Sequence, residues 1–259
     1  MPYEYLRTSD LAKAAKVHPN TVRLYEEWGL LPPVQRDPSN NYRLFTEKHL
    51  DQILLVRSSL PFNIISSDIR STVYELIDEG AQDNPGGALE LAYKLVSQIQ
   101  SEQTRGEAAA DYLQRWADGT PTEISNAPLH IGDVARLLDV SIDQLRNWER
   151  NGLISVPRDS SNGYRLYGSD EIGRLRVIRM LIWSHYSTMS ILRMVNKLDV
   201  GEIKDLRSTL DTPEPEEDVL YVTDQWLTTL AEMEQAAHKL IAQIEDVISK
   251  RHAISNKLP

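Results

Sequence analysis

The spacing of apolar residues along the chain predicts a mainly α-helical protein that is built from short helices and hairpins. Leu11 and Ala15 share one face of a first short helix, and Val22 and Tyr25 share one face of a second helix that follows a tight turn. The run Tyr42–Phe45 then returns as a strand after a turn-rich stretch, which predicts a β-hairpin wing. Two short helices joined by a tight turn are typical of a helix-turn-helix.

The same arrangement occurs again in the second half of the chain. Arg, an aromatic residue, Glu, Gly and Leu recur between residues 23–31 and 146–154, at an offset of 123 residues. A Tyr-Arg-Leu-aromatic tail recurs between residues 42–45 and 164–167 at an offset of 122, so one residue is lost between the two blocks. Two matching blocks indicate a duplicated module.

Four segments account for the chain. Residues 1–77 and 129–198 are the two copies of the module, and each is predicted to be a winged helix-turn-helix domain. Residues 78–128 are predicted to contain a break, a long helix and a linker. Residues 199–259 are predicted to be an acidic linker followed by a C-terminal coiled-coil helix.

The two predicted long helices differ in their apolar stripes. In the helix over residues 88–117 the stripe is interrupted, because Gly106 and the polar residues 101–105 lie in its middle. The C-terminal helix carries an unbroken heptad seam, whose members are Trp226, Leu230, Met233, Ala237, Leu240, Ile244 and Val247. Such a seam needs a partner helix.

Both copies of the module resemble the DNA-binding domain of the MerR family of bacterial transcription regulators. The resemblance rests on a helix-turn-helix that ends in Tyr-Glu-x-x-Gly-Leu-Leu and a wing that ends in Tyr-Arg-Leu-Phe, and it covers about residues 6–77 and 129–198. It implies a winged helix-turn-helix fold and dimers that bind pseudo-palindromic promoter operators. It also implies activation that often works by distorting an over-long promoter spacer.

The sequence departs from the family's pattern at the helix and at the wing. Family members commonly have two aromatic residues before the Glu, whereas Leu24 and Asn147 take the first of these positions here. The first wing has Asn41 where the family favours Gly, and the second wing keeps Gly163. These differences predict that the two modules do not read the same half-site in the same way.

The heptad seam could pair with the other long helix of the same chain or with the same helix of a second chain. In MerR-like dimers, as the resemblance implies, the helix after each DNA-binding domain pairs antiparallel with its mate. One chain that pairs its own two long helices would be a pseudo-dimer, and the parallel layout of its halves favours this arrangement. A homodimer with four modules is the alternative, and the interrupted stripe of residues 88–117 favours it.

The net charge changes this picture only when it is divided along the chain. The whole chain carries −10, a value that opposes DNA binding. Residues 1–76 hold nine basic and nine acidic side chains, and residues 129–198 hold ten and seven. Residues 77–128 hold three basic against nine acidic side chains, and residues 199–259 hold six against thirteen. The acidic excess therefore follows each module, and the local field outweighs the total because salt screens charges beyond about 8–10 Å.

Composition limits the chemistry. The absence of cysteine excludes structural disulfides, thiolate zinc sites, iron–sulfur clusters and thiol redox sensing. No metal-ligand spacing, phosphate loop, dinucleotide motif or nucleophile elbow occurs, so the sequence predicts no metal, no cofactor and no enzyme. No apolar run approaches the roughly 20 residues of a membrane helix, and no signal peptide precedes the first module. A soluble cytoplasmic protein without a membrane partner is expected.

The candidate DNA-binding residues lie on each second helix and on each wing. In the first module they are His18, Asn20, Thr21, Arg23, Leu24, Tyr25, Arg36, Tyr42 and Arg43. In the second module they are Ser141, Asp143, Gln144, Arg146, Asn147, Trp148, Arg158, Tyr164 and Arg165. Arginine donates two hydrogen bonds to guanine or clamps a phosphate, and Asn and Gln pair with adenine.

Other side chains beside these arginines are expected to be structural. Tyr25 and Trp148 are interpreted mainly as core residues with a polar tip toward phosphate. Glu26 and Glu149 are expected to form helix-internal salt bridges, because a carboxylate that faces phosphate is repelled.

Two classes of function stay open. The first is a sequence-specific transcriptional regulator that binds double-stranded promoter or operator DNA with two non-identical modules, with RNA polymerase at the promoter as a further candidate partner. The second is an architectural or interaction protein that uses the same fold to bind a partner protein or a small molecule. The net-zero charge of the first module gives the second class weight. The sequence identifies no effector, no operator and no sign of regulation.

Overall fold

The computed structural model describes residues 5–64, 66–119, 127–202, 204–213 and 225–255. Within these residues the chain is mainly α-helical, as predicted. It divides into two compact units, residues 1–100 with 232–259 and residues 101–231, and each unit contains one copy of the module. Parts of the predicted linkers, residues 120–126 and 214–224, lie outside the described residues. No helix in the described part is long and apolar enough to cross a membrane.

The first unit begins with the predicted helix-turn-helix. Helix α1 spans Thr8–Ala14 and packs against helix α2, which spans Pro19–Glu27. Proline suits the first position of α2, because the N–H that it lacks has no partner in the first turn of a helix. Leu11 and Val22 are fully buried and hold the two helices together.

The predicted wing is present, but its strands are short. Strand β1 (Gln35–Arg36) pairs antiparallel with strand β2 (Arg43–Leu44). Phe45, which follows β2, forms a bridge with Leu6 and is fully buried. The wing is thereby anchored next to the start of α1.

Two helices complete the first module. Helix α3 spans Glu47–Ser59, a 3-10 turn spans Leu60–Ile64, and helix α4 spans Ser67–Ala81. The buried side-chain amide of Gln52 in α3 donates to two backbone carbonyls, at 2.9 Å each, which belong to Leu30 after α2 and to Ile77 in α4. One side chain therefore ties three parts of the module together.

His49 is a buried titratable group at the start of α3. Its Nδ1 accepts a hydrogen bond from the backbone N–H of Thr46 at 3.0 Å, and its ring packs edge-on against Phe45. Burial lowers the pKa of His49 below the ordinary value of a histidine, although nearby backbone carbonyls oppose the shift.

We expect His49 to make the protein less stable in acid. In the unfolded chain His49 takes up a proton near its ordinary pKa of about 6.5, whereas the folded state binds that proton only at lower pH. The free energy of unfolding should therefore fall as the pH drops below about 6.5 toward the lowered folded-state pKa. Urea titrations at neutral and mildly acidic pH measure this change, and His49→Gln should show a smaller loss than the wild type. Parallel losses in both proteins would contradict the prediction.

The second unit repeats the module. Helix α6 spans Ile131–Leu138, helix α7 spans Ile142–Arg150, helix α8 spans Ser169–Trp183 and helix α9 spans Thr188–Asp199. The second wing is held by isolated bridges between Arg158 and Arg165 and between Leu129 and Tyr167.

A short helix, α10 (Leu206–Asp211), lies in the segment that was predicted to be an acidic linker. The sequence did not predict this helix. The carboxylate of Asp205 accepts the N–H of Ser208 at 3.3 Å and caps the helix. Leu206 and Leu210, which are one turn apart, are fully buried.

The two long helices are continuous. Helix α5 spans Pro85–Ala117 and helix α11 spans Trp226–Ser255. The polar stretch around Gly106 does not interrupt α5. A β-carbon at Gly106 would lie 2.9 Å from Leu227 Cδ2, so the glycine leaves room for the start of α11. All seven residues of the predicted seam are buried.

Within the first unit, hydrogen bonds join the two long helices. The hydroxyl of Tyr93 donates to Glu245 Oε1 at 3.1 Å, and Gln100 Nε2 donates to Glu234 Oε1 at 2.6 Å. Residue numbers rise along α5 as they fall along α11, so the two helices run antiparallel in this unit.

Candidate nucleic-acid interface

The second helix of each module is fixed at its N-terminus by a capping side chain. His18 Nδ1 accepts the N–H of Asn20 at 3.1 Å. Ser141 Oγ accepts the N–H of Gln144 at 3.0 Å, and Gln144 Oε1 accepts the N–H of Ser141 at 2.8 Å, which is a capping box. The predicted site residues His18, Ser141 and Gln144 therefore also hold the start of their helices.

The aromatic residue of each repeated block points inward. Tyr25 and Trp148 are only 8% and 6% exposed. Both therefore pack in the cores of their modules, which matches the core interpretation, and they offer little surface to a ligand.

Polar side chains lie on the outer face of α2. Asn20, Arg23 and Leu24 are exposed, and Thr21 is half-buried. Arg23 donates to Asn20 Oδ1 at 3.1 Å, so the two side chains lie side by side one turn apart. The guanidinium has further N–H groups to offer to a ligand.

Asp143, Arg146 and Asn147 are exposed on the outer face of α7. Arg146 lies 3.2 Å from Asp143, and the two side chains are 53% and 89% exposed. An ion pair this exposed contributes at most about 1 kcal/mol, so a phosphate or a base edge can displace Asp143 at small cost.

In the first module, Glu26 joins the second helix to the wing. Glu26 Oε1 accepts from Arg36 in β1 at 2.8 Å, and Glu26 Oε2 accepts from Nε of Arg43 in β2. One carboxylate therefore holds both strands of the hairpin against α2.

In the second module, Glu149 makes the same contacts. Glu149 Oε2 accepts from Arg165 Nε at 2.6 Å, and Glu149 Oε1 lies 3.6 Å from Arg158. The expected helix-internal salt bridges of Glu26 and Glu149 were wrong in their partners, since both carboxylates bridge from helix to wing. Because each Glu is paired with two wing arginines, its negative charge is compensated and repels a nearby phosphate less.

The tips of the two wings have the same internal hydrogen bonds. Asp37 accepts the N–H and the hydroxyl of Ser39 at 2.8 and 2.6 Å, and Asp159 accepts the same groups of Ser161 at the same distances. Hydrogen bonds from Ser39 lower the pKa of Asp37, and those from Ser161 lower the pKa of Asp159. These hydrogen bonds stabilise the same turn geometry in both wings.

The difference between Asn41 and Gly163 does not change the shape of the wing. Asn41 has a φ of +59° and Gly163 a φ of +76°, so both occupy the left-handed region that Gly and Asn adopt most readily. Each donates its N–H to the carbonyl of the aspartate that starts the turn, at 2.8 Å. The two modules therefore differ more on their helices than on their wings.

An exposed tyrosine follows each of these turns. Tyr42 is 68% exposed and Tyr164 is 65% exposed. Both hydroxyls are free of the core and suit contacts with phosphate.

Arg150 is a candidate that the sequence reasoning missed. It is exposed on α7 and donates to Asn147 Oδ1 at 3.5 Å, on the same face as Arg146. The signal for it was the register of the repeat, which aligns Arg150 with Glu27 of α2 and reverses the charge at that position.

In the described part of the chain, no group of three or more His, Cys, Asp or Glu residues is placed to hold a metal ion.

Comparison with known proteins finds a MerR-type match in each half of the chain. Residues 6–70 match the model of the MerR HTH family regulatory protein, and residues 130–167 match the model of the MerR family regulatory protein. The chain carries two MerR-type helix-turn-helix segments. The second match covers only α6, α7 and the wing of its MerR-type module.

The curated relatives match parts of the chain. The HTH-type transcriptional regulator CueR of Salmonella typhi is 39% identical over 54 residues, which are 21% of this chain and 38% of that protein. A "Probable heavy metal-dependent transcriptional regulator" of Haemophilus influenzae is 26% identical over 118 residues, 45% of this chain and 83% of that protein. The HTH-type transcriptional regulator ZntR homolog of the same organism is 35% identical over 66 residues, 26% of this chain and 48% of that protein.

These relatives are named as transcriptional regulators and not as enzymes. The chain spans 38% of the length of the CueR protein, so the match covers only part of that relative. No solved structure matches the chain.

Proposed function

We propose that this protein is a sequence-specific DNA-binding transcriptional regulator that reads promoter or operator DNA with two non-identical MerR-type modules. One observation carries the proposal. In each module the second helix carries an exposed arginine, Arg23 or Arg146. A glutamate of the same helix pairs with two arginines of the wing and holds the wing against the helix. The names of the relatives support a DNA-binding regulator.

The parts of this arrangement suit the two kinds of contact that DNA recognition needs. The major groove admits an α-helix, where Arg23 and Arg146 donate to guanine and Asn147 pairs with adenine. The wings carry Tyr42 and Tyr164 beside their arginines, and these groups contact phosphates and fix the register of the protein on the duplex.

One chain acts as a pseudo-dimer in this proposal. The hydrogen bonds from Tyr93 to Glu245 and from Gln100 to Glu234 support it, because they join the two long helices of a single chain. The burial of the heptad seam within a single chain also supports the pseudo-dimer.

Selection of bound duplexes from a random DNA pool tests the proposal. We expect enrichment of a site with two unlike half-sites, bound by a single chain of 29.5 kDa, because the outer faces of α2 and α7 differ. The mass of the complex is measured by light scattering or native mass spectrometry. Two chains bound to one symmetric site would contradict the pseudo-dimer and support the homodimer. Failure to enrich any sequence, with little salt dependence of binding, would favour the architectural or interaction protein instead.

A further inference from the structure

The outer faces of α2 and α7 differ in chemistry position by position. At the offset of 123 residues, the pairs of exposed residues are Asn20 and Asp143, Leu24 and Asn147, Glu27 and Arg150, and Trp28 and Asn151. Arginine is common to both faces at one position, as Arg23 and Arg146. At these positions α2 presents the apolar Leu24 and Trp28 where α7 presents Asn147 and Asn151, and α7 is the more basic helix, although Ile142 at its start is also exposed.

From Arg146 to Arg150 the exposed side chains of α7 are guanidinium and amide groups. Arg146, Asn147 and Arg150 lie on one face, with Asn147 in contact with Arg150 at 3.5 Å. Guanidinium and amide groups suit the edges of guanine and adenine in the major groove.

On α2 two apolar side chains, Leu24 and Trp28, are exposed among the polar ones. Leu24 is 40% exposed, and it follows Asn20 by one helical turn on the same face. The hydrogen bond between Arg23 and Asn20 places a polar pair next to it. Leu24 therefore suits a ligand that offers an apolar group beside polar ones.

Thymine is the base whose major-groove edge fits this description. It carries the C5-methyl group beside the O4 acceptor, and its partner adenine adds an acceptor and a donor. Duplex DNA also explains the polar neighbours, since Asn20 pairs with adenine and Arg23 with guanine or phosphate. A protein partner on the same face would leave the wing beside it without a role.

We propose that Leu24 contacts the C5-methyl group of a thymine in the half-site of the first module. This inference rests on the proposed function and deepens it, because it gives the chemical basis of the difference between the half-sites. The first module then requires thymine on the strand that Leu24 contacts. The second module presents Asn147 at the equivalent position and recognises adenine there through hydrogen bonds.

Substitution of thymine by deoxyuridine tests this contact, because it removes the methyl group and keeps the base pair. The selected operator is prepared with each thymine replaced in turn, and the full chain is titrated against each duplex by fluorescence anisotropy. The half-site of the first module is identified as the one whose base preference Arg23→Ala abolishes. We expect one thymine in that half-site whose replacement weakens wild-type binding by about fourfold, the effect of one buried methyl group.

Leu24→Ala should bind both forms of that duplex equally, and so should Leu24→Asn, which copies the second module. Asn147→Ala is the matched control, and it should keep the fourfold effect at the same thymine. Leu24 is partly exposed, so Leu24→Ala should also keep the melting temperature of the wild type.

The possible failures can be told apart. If the wild type binds a selected operator but no thymine of the first half-site is sensitive to replacement, this inference is overturned and the proposed function stands. Sensitivity that persists unchanged in Leu24→Ala also overturns it, since another residue then reads the methyl group or the face serves a different partner. If no duplex binds more tightly than random DNA, the proposed function fails as well.

Discussion

Arg146→Ala is expected to weaken binding to the selected operator by about 1–3 kcal/mol, or about 5- to 150-fold, and Arg23→Ala is expected to have a similar effect. Each arginine is exposed and held only by a weak local contact, Arg23 with Asn20 and Arg146 with Asp143, so it is available to a base edge or a phosphate. The two residues belong to different modules, so the losses should add in the double variant.

Titrations at fixed salt concentration measure these effects. Arg115→Ala is the matched control, because Arg115 is an exposed arginine on α5 outside both modules. It removes the same charge and should change the affinity little. Equal losses for Arg115→Ala and Arg146→Ala would mean that net charge, and not the position on α7, controls binding.

Gly80→Ala is expected to lower the free energy of unfolding by about 2–4 kcal/mol, because the new methyl group has no space. Its β-carbon would overlap Gln52 Oε1 and lie 2.6 Å from Leu55 Cδ2. Gln52 cannot move aside freely, since its amide nitrogen holds the carbonyls of Leu30 and Ile77. Both buried carbonyls would lose their donor.

Gly86→Ala in the same unit is the control for this substitution. Gly86 lies in the first turn of α5, where an added methyl group meets nothing closer than Asn84 Oδ1 at 3.6 Å. Alanine should stabilise that turn by up to about 1 kcal/mol, because it reduces the entropy of the unfolded chain. Urea titrations of the two variants should therefore show shifts of opposite sign, and shifts of the same sign would contradict the argument.

The sequence alone predicted the features that depend on local periodicity. The helix-turn-helix and the buried seam from Trp226 to Val247 follow from apolar residues at helical spacing, and the structure confirms them. The wing also followed from local turn signals, although its paired strands are only two residues long. The DNA contacts assigned to individual residues stay predictions.

Contacts between residues that are distant along the chain could not be predicted from the sequence. Glu26 lies 10 residues from Arg36 and 17 from Arg43, so helical spacing gave no reason to pair them. Gly106 was interpreted as a weak point of a helix, because its neighbour Leu227 is distant along the chain. Asn41 was counted as a difference between the wings, since its left-handed conformation is a property of the folded turn.

The shared carboxylate of each module has a consequence for protein engineering. Glu26 and Glu149 fix helix and wing from the side, through groups that are separate from the outer faces of α2 and α7. The outer face of one module can therefore be transplanted onto the other without redesign of its framework. Under the proposed function, a chain with two identical outer faces should prefer a symmetric DNA site.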